Sequence, residues 1–263
     1  MYRITIRFYE ELNDFLPRGK RKRDVDVAFP GRRSVKDLIE SLGVPHGEVD
    51  LVLVNGASVD FSRIVADGDR ISVYPVFESL DILPVTRLRT APLRDTRFVL
   101  DVHLRKLARR LRLLGFDVDY RENRGDAELA EISTRERRIL LTRDRRLLMR
   151  RIVERGVFVR ATRIDAQVAE VLDRLDLRGS ISPFTRCIEC NGRMRSLPID
   201  SPECSPALDA VPPGVRAWCR EFHRCDGCGR VYWRGSHYDR LRRVVEALDV
   251  PPAGERSADR FKK

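Results

Sequence analysis

Three aspartates in the middle of the chain have the residue type and spacing of a divalent-metal site. Asp101 follows the apolar run RFVL, Asp144 follows RRILLTR, and Asp126 begins the helical segment between these runs. In parallel sheets, functional residues gather beyond the carboxyl ends of the strands. Carboxylates that meet there repel one another unless a cation joins them, and Mg²⁺ or Mn²⁺ prefers such oxygen ligands. The pattern predicts a catalytic Mg²⁺ or Mn²⁺ that activates water against a phosphodiester.

The same aspartates also fit a structural role, because Asp is a favoured N-cap residue where a helix begins. Each one alone fits a cap better than a ligand, and only their shared position favours a site. His103 either contacts phosphate or, as we favour, caps or packs the helix that follows Asp101. Arg143, beside Asp144, either clamps a phosphate bidentately or is an ordinary solvated arginine.

Four cysteines in two C-x-x-C pairs predict a structural Zn²⁺ site, because four thiolates suit tetrahedral zinc. The pairs are CIEC and CDGC, which contribute Cys187, Cys190, Cys225 and Cys228. The 34 residues between them exceed a compact ribbon, but loop closure costs grow slowly with length. Disulfides are the alternative, and the expected cytoplasmic location disfavours them. Cys204 and Cys219 are taken as non-ligands, and His223 and His237 are reserve ligands of lower rank.

The positive charge of the chain predicts a nucleic-acid partner. The formal net charge is +11; residues 1–80 hold 12 Lys and Arg against 13 Asp and Glu, whereas residues 81–249 hold 35 against 25. Such a field favours polyanions such as RNA or DNA, although GC-rich coding also raises the share of arginine. Basic and aromatic side chains can hold phosphates and stack on bases, and the predicted RNA-binding residues are Arg105, Arg109, Arg112, Arg143, Tyr232 and Trp233. Alternatively, Tyr232 and Trp233 pack inside the small zinc ribbon.

The elements that must position these residues predict an α/β fold with three parts. Residues 97–178 alternate short apolar strands with amphipathic helices, which indicates a mostly parallel sheet. In the first of these helices the leucines share one face, and the arginines are expected opposite them. Residues 180–249 contain all six cysteines and form the predicted zinc ribbon. Residues 79–96 are read as a linker and residues 250–263 as a disordered tail.

Residues 1–78 read as strands around one helix. YRITIRFY and DVDVAF alternate with period two, SVKDLIESLG is a capped helix, and DLVLVNG and DGDRISVYPVF supply later strands. This order resembles the ubiquitin-like β-grasp fold of the small sulfur-carrier proteins. Those carriers end in Gly-Gly, which is absent at the matching place here. The resemblance therefore implies a module that docks a protein partner and does not carry sulfur.

A second resemblance covers residues 97–240. FVLDVHLRKLARRLRLLGFDVDY, Asp126, ERRILLTRDRRLL, RCIECN and RCDGCGRVYWRGSHYDRL are together similar to the PIN-like RNase domain of the Mut-seven C-terminal type with its zinc ribbon. The resemblance implies a metal-dependent ribonuclease with Asp101, Asp126 and Asp144 as its acidic site. PIN domains usually add a fourth acid after the third; Asp165 is the candidate, or the site has three.

Three functions follow as hypotheses. The leading one is a metal-dependent ribonuclease. Its expected location is the cytoplasm, since no run reaches the ~18 apolar residues of a membrane span and no signal peptide is recognisable. The second is a non-catalytic RNA- or ribosome-binding factor, which the incomplete acid set favours. The third is an interaction protein in which the β-grasp domain is the main functional part.

Overall fold

A computed structural model describes residues 1–77, 82–88, 96–197, 209 and 211–248. Its contacts divide the chain into two compact units. Unit 1 contains Met1–Leu104 and Tyr120–Arg160, and unit 2 contains Arg105–Asp119 and Ala161–Lys263. The predicted tail, residues 250–263, lies outside the described residues, as does Cys204. No helix among the described residues is long and apolar enough to cross a bilayer.

The N-terminal part of unit 1 is a five-stranded sheet with one helix against it. The elements are β1 (Tyr2–Phe8), β2 (Val25–Phe29), α1 (Val35–Ser41), β3 (Val49–Val54), β4 (Ala57–Ser58) and β5 (Arg70–Pro75). The strand order is β2-β1-β5-β3-β4, and β1 and β5 run parallel while the other pairs are antiparallel. This is the predicted β-grasp arrangement.

The period-two pattern of the sequence forms the core of this sheet. Ile4, Ile6 and Phe8 of β1 are buried, while Arg3 and Arg7, at alternate positions of the same strand, are exposed. Helix α1 begins where the Ser34 Oγ accepts a hydrogen bond from the Asp37 N–H at 3.1 Å, and the apolar face of the helix completes the core with Val35, Leu38 and Ile39.

The middle of the chain alternates strands and helices as predicted. Its strands are β6 (Arg97–Leu100), β7 (Asp117–Asp119), β8 (Ile139–Thr142) and β9 (Gly156–Phe158). Its helices are α2 (Arg105–Leu113), α3 (Asp126–Arg135), α4 (Arg145–Leu148) and α5 (Ile164–Arg174). In unit 1, β6, β8 and β9 pair in parallel, so their carboxyl ends share one edge. The predicted mostly parallel sheet is thereby confirmed.

The β-grasp part packs directly on β9 and α4 within unit 1. The Glu48 carboxylate is 1% exposed and accepts a hydrogen bond from the Phe158 N–H at 2.5 Å. The guanidinium carbon of Arg145 lies 5.2 Å from the Phe15 ring centre and 5.3 Å from the Phe158 ring centre, and Arg160 lies 4.7 and 5.9 Å from the same rings. We call these four side chains the arginine–phenylalanine stack. Cation–π contacts of this kind hold α4 against the β-grasp part.

Part of the predicted linker is also packed in unit 1. Ile82 is buried, and the Thr86 hydroxyl donates to the Asp50 carbonyl oxygen at 2.6 Å. Leu88 packs on the β-grasp core. These described residues extend the β-grasp part, while the predicted domain boundaries stay predictions.

The C-terminal part of unit 2 is a small antiparallel sheet with two helices. The elements are β10 (Met194–Leu197), α6 (Pro213–Trp218), β11 (Phe222–Cys225), β12 (Val231–Trp233) and α7 (Ser236–Leu248). The strand order is β10-β11-β12. Gly115 ends α2 at φ +95°, and a Cβ there would lie 2.1 Å from the Ser182 carbonyl oxygen, so only glycine fits this turn.

Candidate active site and cysteine cluster

Asp101 lies at the carboxyl end of β6, in the position predicted for a catalytic carboxylate. Its backbone N–H donates to the Leu141 carbonyl oxygen at 3.1 Å, which fixes it against β8. The residue is 5% exposed. Its Oδ2 accepts the Thr142 hydroxyl at 2.8 Å, whereas Oδ1 has no hydrogen-bond partner among the described residues. One oxygen of a nearly buried carboxylate is thus available to a further ligand.

Thr142 joins Asp101 to Asp144. The Thr142 Oγ1 donates to Asp101 and accepts the Asp144 backbone N–H at 2.9 Å. The Asp144 side chain caps α4, because its Oδ1 accepts the Arg146 N–H at 2.7 Å. Asp144 therefore lies at the predicted strand end and also has the capping role that was the alternative reading.

Asp126 is the first residue of α3 and is not its cap, since Gly125 occupies the cap position. Its Oδ2 lies 3.9 Å from Arg150 Nη2, and its side chain is 50% exposed. A carboxylate in the first turn of a helix is stabilised by the helix dipole. Asp126 is therefore placed as expected along the chain, but its ion-pair partner is Arg150.

The three carboxylates do not form one group whose ligand atoms all lie within 4.8 Å of one another. Among the described residues, the single group of three or more His, Cys, Asp or Glu with ligand atoms within 4.8 Å is formed by cysteines. The expected convergence of Asp101, Asp126 and Asp144 is therefore not seen, because Asp144 turns to cap α4 and Asp126 faces Arg150. Their role as metal ligands stays a prediction. Asp165 is exposed in the first turn of α5 in unit 2.

The four predicted cysteines come together in unit 2. The sulfurs of Cys187, Cys190, Cys225 and Cys228 all lie within 4.8 Å of one another. Cys187 Sγ is 3.8 Å from Cys228 Sγ, and Cys190 Sγ is 3.3 Å from Cys225 Sγ. Tetrahedral zinc with Zn–S bonds of about 2.3 Å places its sulfurs about 3.8 Å apart. The donor set and its spacing fit a tetrahedral metal ion.

Two glycines leave room for this cysteine cluster. A Cβ on Gly192 would lie 2.7 Å from Cys225 Sγ, and one on Gly227 would lie 3.2 Å from Cys190 Sγ. The N–H groups of the same glycines point at the sulfurs, from Gly192 to Cys190 at 3.4 Å and from Gly227 to Cys225 at 3.3 Å. Such N–H groups stabilise thiolates, so each C-x-x-C pair forms a turn suited to metal binding.

The environment of the sulfurs separates their pKa values. Burial raises the pKa of Cys187, but hydrogen bonds from Tyr232 and from backbone N–H groups outweigh it and lower this pKa to about 7. Burial raises the pKa of Cys190 to about 12 and also raises that of Cys228. Four thiols this close cannot all ionise without a cation. A divalent ion that stabilises four thiolates resolves this conflict.

Arg112 is buried beneath the cysteine cluster, contrary to the predicted phosphate contact. It is 4% exposed. Its Nε and Nη2 donate to the Val118 carbonyl oxygen at 3.1 and 3.0 Å, and its Nη1 donates to the carbonyl oxygens of Ile188 and Glu189 at 3.3 and 2.7 Å. On α2, Arg112 is next to the apolar stripe and not opposite it, which explains the burial. Burial lowers its pKa, and the nearby sulfurs and carboxylates oppose that shift.

Replacement of Arg112 by Met is expected to destabilise unit 2 by roughly 3 kcal/mol, because it leaves buried carbonyl groups without a donor. Thermal unfolding measures this change. The control is Arg105→Met, which removes an exposed arginine from the same helix. If Arg112→Met instead weakened RNA binding at unchanged unfolding temperature, the phosphate-contact prediction would be correct and the structural role wrong.

The other predicted RNA-binding residues divide into exposed and packed ones. Arg105 and Arg143 are exposed, whereas Arg109 is half-buried and pairs with Glu189 at 2.6 Å. The Tyr232 hydroxyl lies 3.1 Å from Cys187 Sγ, and burial raises its pKa. Trp233 packs on the apolar cluster of the small sheet. Trp233 therefore has the packing role, Tyr232 has a hydrogen-bonding role at the cysteine cluster, and RNA contact by either residue stays a prediction.

Trp218 is an exposed aromatic residue that the sequence patterns did not single out. It ends α6 and is 57% exposed. A Cβ on Gly235 would lie 3.3 Å from the Trp233 indole and 4.0 Å from the Trp218 indole, so the two indoles approach the same glycine. The sequence signal that could have identified Trp218 is the pattern of Arg216, Trp218 and Arg220, in which basic residues flank an aromatic one.

The model of the family described as Mut7-C ubiquitin matches residues 1–81. Crystal structures of small archaeal modifier protein 1 from Haloferax volcanii are similar to part of the chain. One is 20% identical and covers 29% of this chain and 100% of that chain, with a TM-score of 0.25. The other is 18% identical, and the match covers 30% of this chain and 99% of that chain, with a TM-score of 0.24.

Among curated proteins, none matches the chain at a significant level. The model of the family described as Mut7-C RNAse domain matches residues 96–245, which is more than half of the chain and includes all three aspartates and the cysteine cluster. This match confirms the resemblance found in the sequence. The chain belongs to the Mut7-C RNAse domain family.

Proposed function

We propose that this protein is a metal-dependent ribonuclease that hydrolyses RNA phosphodiester bonds. The observation that carries the proposal is Asp101. It is a nearly buried carboxylate at the edge shared by parallel strands, and its Oδ1 lacks a partner among the described residues. A buried carboxylate is costly unless it is paired, and a divalent cation is a suitable partner. The family match supplies the class of reaction.

Asp101, Asp126 and Asp144 would hold Mg²⁺ or Mn²⁺ in this proposal. The ion supplies activation of water and stabilisation of the negative charge on the phosphate. Thr142 holds Asp101 in one orientation through its hydroxyl. Asp144 would have to give up its cap to contribute both oxygens, because its Oδ1 accepts the Arg146 N–H.

The cysteine cluster would hold structural Zn²⁺. All four donors are protein sulfurs, so no coordination position is left for a substrate. The zinc-stabilised part would help to grip RNA through exposed basic and aromatic residues such as Trp218. The β-grasp part would dock a protein partner with the surface that does not contact β9 and α4.

A non-catalytic RNA- or ribosome-binding role is the second candidate. One specific observation favours it: the three aspartates do not form one group of ligand atoms within 4.8 Å, and each already has a protein partner. Such a factor would bind RNA in a salt-sensitive way without any requirement for Mg²⁺ or Mn²⁺.

One assay separates these candidates. Purified zinc-loaded protein is incubated with end-labelled single-stranded RNA in the presence of Mn²⁺, Mg²⁺ or neither. The ribonuclease proposal expects cleavage that depends on the added ion, and the positions of the products show whether cutting is internal or from an end. Binding without cleavage under all three conditions would favour the second candidate.

A further inference from the structure

A groove in unit 2 combines an apolar floor with a basic rim. Its volume is about 270 Å³. We call its apolar lining residues the floor, namely Leu113, Ile164, Ile188, Leu241 and Val244, and its basic lining residues the rim, namely Lys106, Arg109, Arg110, His237 and Arg240. These residues come from α2, α5, α7 and the first cysteine turn, and all belong to unit 2.

Three cations of the rim have no anionic partner. Lys106, Arg110 and Arg240 make no side-chain hydrogen bond or ion pair with any described residue. Neighbouring arginines of the same helices are paired: Arg109 with Glu189 at 2.6 Å and Arg242 with Glu246 at 3.5 Å. The groove therefore carries three unpaired positive charges, which favour an anionic ligand.

The chemistry of the groove indicates which anion fits. A ligand that uses both surfaces needs a flat apolar group for the floor and several closely spaced anionic groups for the rim. Lysine and arginine side chains only donate hydrogen bonds, and phosphate oxygens only accept them. A nucleotide of an unpaired RNA strand matches both surfaces, since in a duplex the base faces are stacked inside.

We propose that this groove binds an unpaired nucleotide of an RNA strand. The base lies on Leu241 and Val244, and the flanking phosphates contact Lys106, Arg110 and Arg240. This inference rests on the proposed function and specifies its substrate as single-stranded RNA. It also gives His237 a place in RNA binding, as a rim residue outside the cysteine cluster.

The test is a binding assay on the full zinc-loaded chain. Fluorescence anisotropy follows a labelled twelve-nucleotide oligouridine without added Mg²⁺ or Mn²⁺, so that the RNA stays intact. Arg240→Ala is expected to weaken binding roughly tenfold, the size of one charge-assisted hydrogen bond. It is also expected to flatten the slope of log affinity against log salt concentration by about 0.7, because one phosphate contact of a single strand is lost.

Arg242→Ala is the matched control. It removes the same charge from the same helix but lies outside the groove, so it is expected to change affinity less than about twofold. Leu241→Ser tests the floor: it should weaken oligouridine binding roughly fivefold through lost apolar contact. It should leave binding of inorganic polyphosphate unchanged, because polyphosphate has no bases. Thermal unfolding checks each variant, and if Leu241→Ser fails to fold, the pair of arginine variants decides.

Several results would overturn the inference. Equal binding of oligouridine by Arg240→Ala and Arg242→Ala would remove the groove from RNA binding. Tighter binding of oligoglutamate than of oligouridine by the wild-type chain would assign the groove to a protein segment. If the wild type cleaves RNA and the groove variants bind it normally, the inference fails while the ribonuclease proposal stands. If the wild type binds oligouridine through the groove but never cleaves RNA, the groove stands and the ribonuclease proposal fails.

Discussion

Replacement of Asp101 by Asn is expected to lower the rate of RNA cleavage at least roughly 100-fold while leaving the fold intact. Loss of an outer-shell partner of a metal ligand already costs about 10–100-fold, and Asp101 is proposed as a ligand itself. The Asn side chain has the same shape, and its oxygen can still accept the Thr142 hydroxyl. Cleavage of end-labelled RNA with saturating Mn²⁺ measures the rate, and circular dichroism measures the fold.

The matched control for Asp101→Asn is Glu131→Gln, which removes one negative charge from an exposed position on α3. Its cleavage rate should equal that of the wild type. Asp126→Asn and Asp144→Asn should each slow cleavage as well, and Asp165→Asn decides whether a fourth acid takes part. Wild-type rates in Asp101→Asn would refute the proposed site, even if the chain cuts RNA by other residues.

Loss of the metal ion from the cysteine cluster is expected to unfold the small sheet of unit 2. Structural zinc sites contribute about 10–16 kcal/mol of binding free energy near pH 7, which exceeds what the few buried residues of this sheet can supply. The change to test is Cys225→Ser, which removes one of the four sulfurs. Zinc content per chain and amide hydrogen exchange over β10, β11 and β12 measure the effect. Acid should act in the same direction, because protons compete with the ion for the thiolates.

Cys219→Ser provides the comparison. Cys219 is 4% exposed and packs in the apolar cluster of the same sheet, but it is not one of the four grouped sulfurs. This variant should retain one zinc ion per chain. The proposal of a four-sulfur site would be wrong if Cys225→Ser kept its zinc and its exchange protection, or if Cys219→Ser lost the ion.

The parts of the fold that local patterns determine were predictable from the sequence. Period-two alternation in YRITIRF predicted β1 with its buried Ile4 and Ile6, and the cap at Ser34 predicted the start of α1. The two C-x-x-C pairs predicted the cysteine cluster across 34 intervening residues. These signals succeed because each depends on a short stretch of chain or on ligand chemistry with few alternatives.

Distances between separate elements were not predictable in the same way. The strand-end positions of Asp101 and Asp144 came from the pattern, but the direction of each side chain depends on neighbours such as Thr142 and Arg146. Arg112 shows the same limit. A helical pattern places it near the edge of the apolar face, and only the tertiary structure brings three carbonyl groups to its guanidinium.

The arginine–phenylalanine stack makes the two halves of unit 1 depend on each other. A truncated protein beginning near residue 96 would leave the Phe158 ring without Phe15 and its N–H without the Glu48 acceptor. Such a fragment would expose an apolar strand edge with an unpaired N–H group, which promotes self-association during synthesis. The N-terminal part therefore covers this strand edge, and a fragment without it is expected to self-associate more than the full chain.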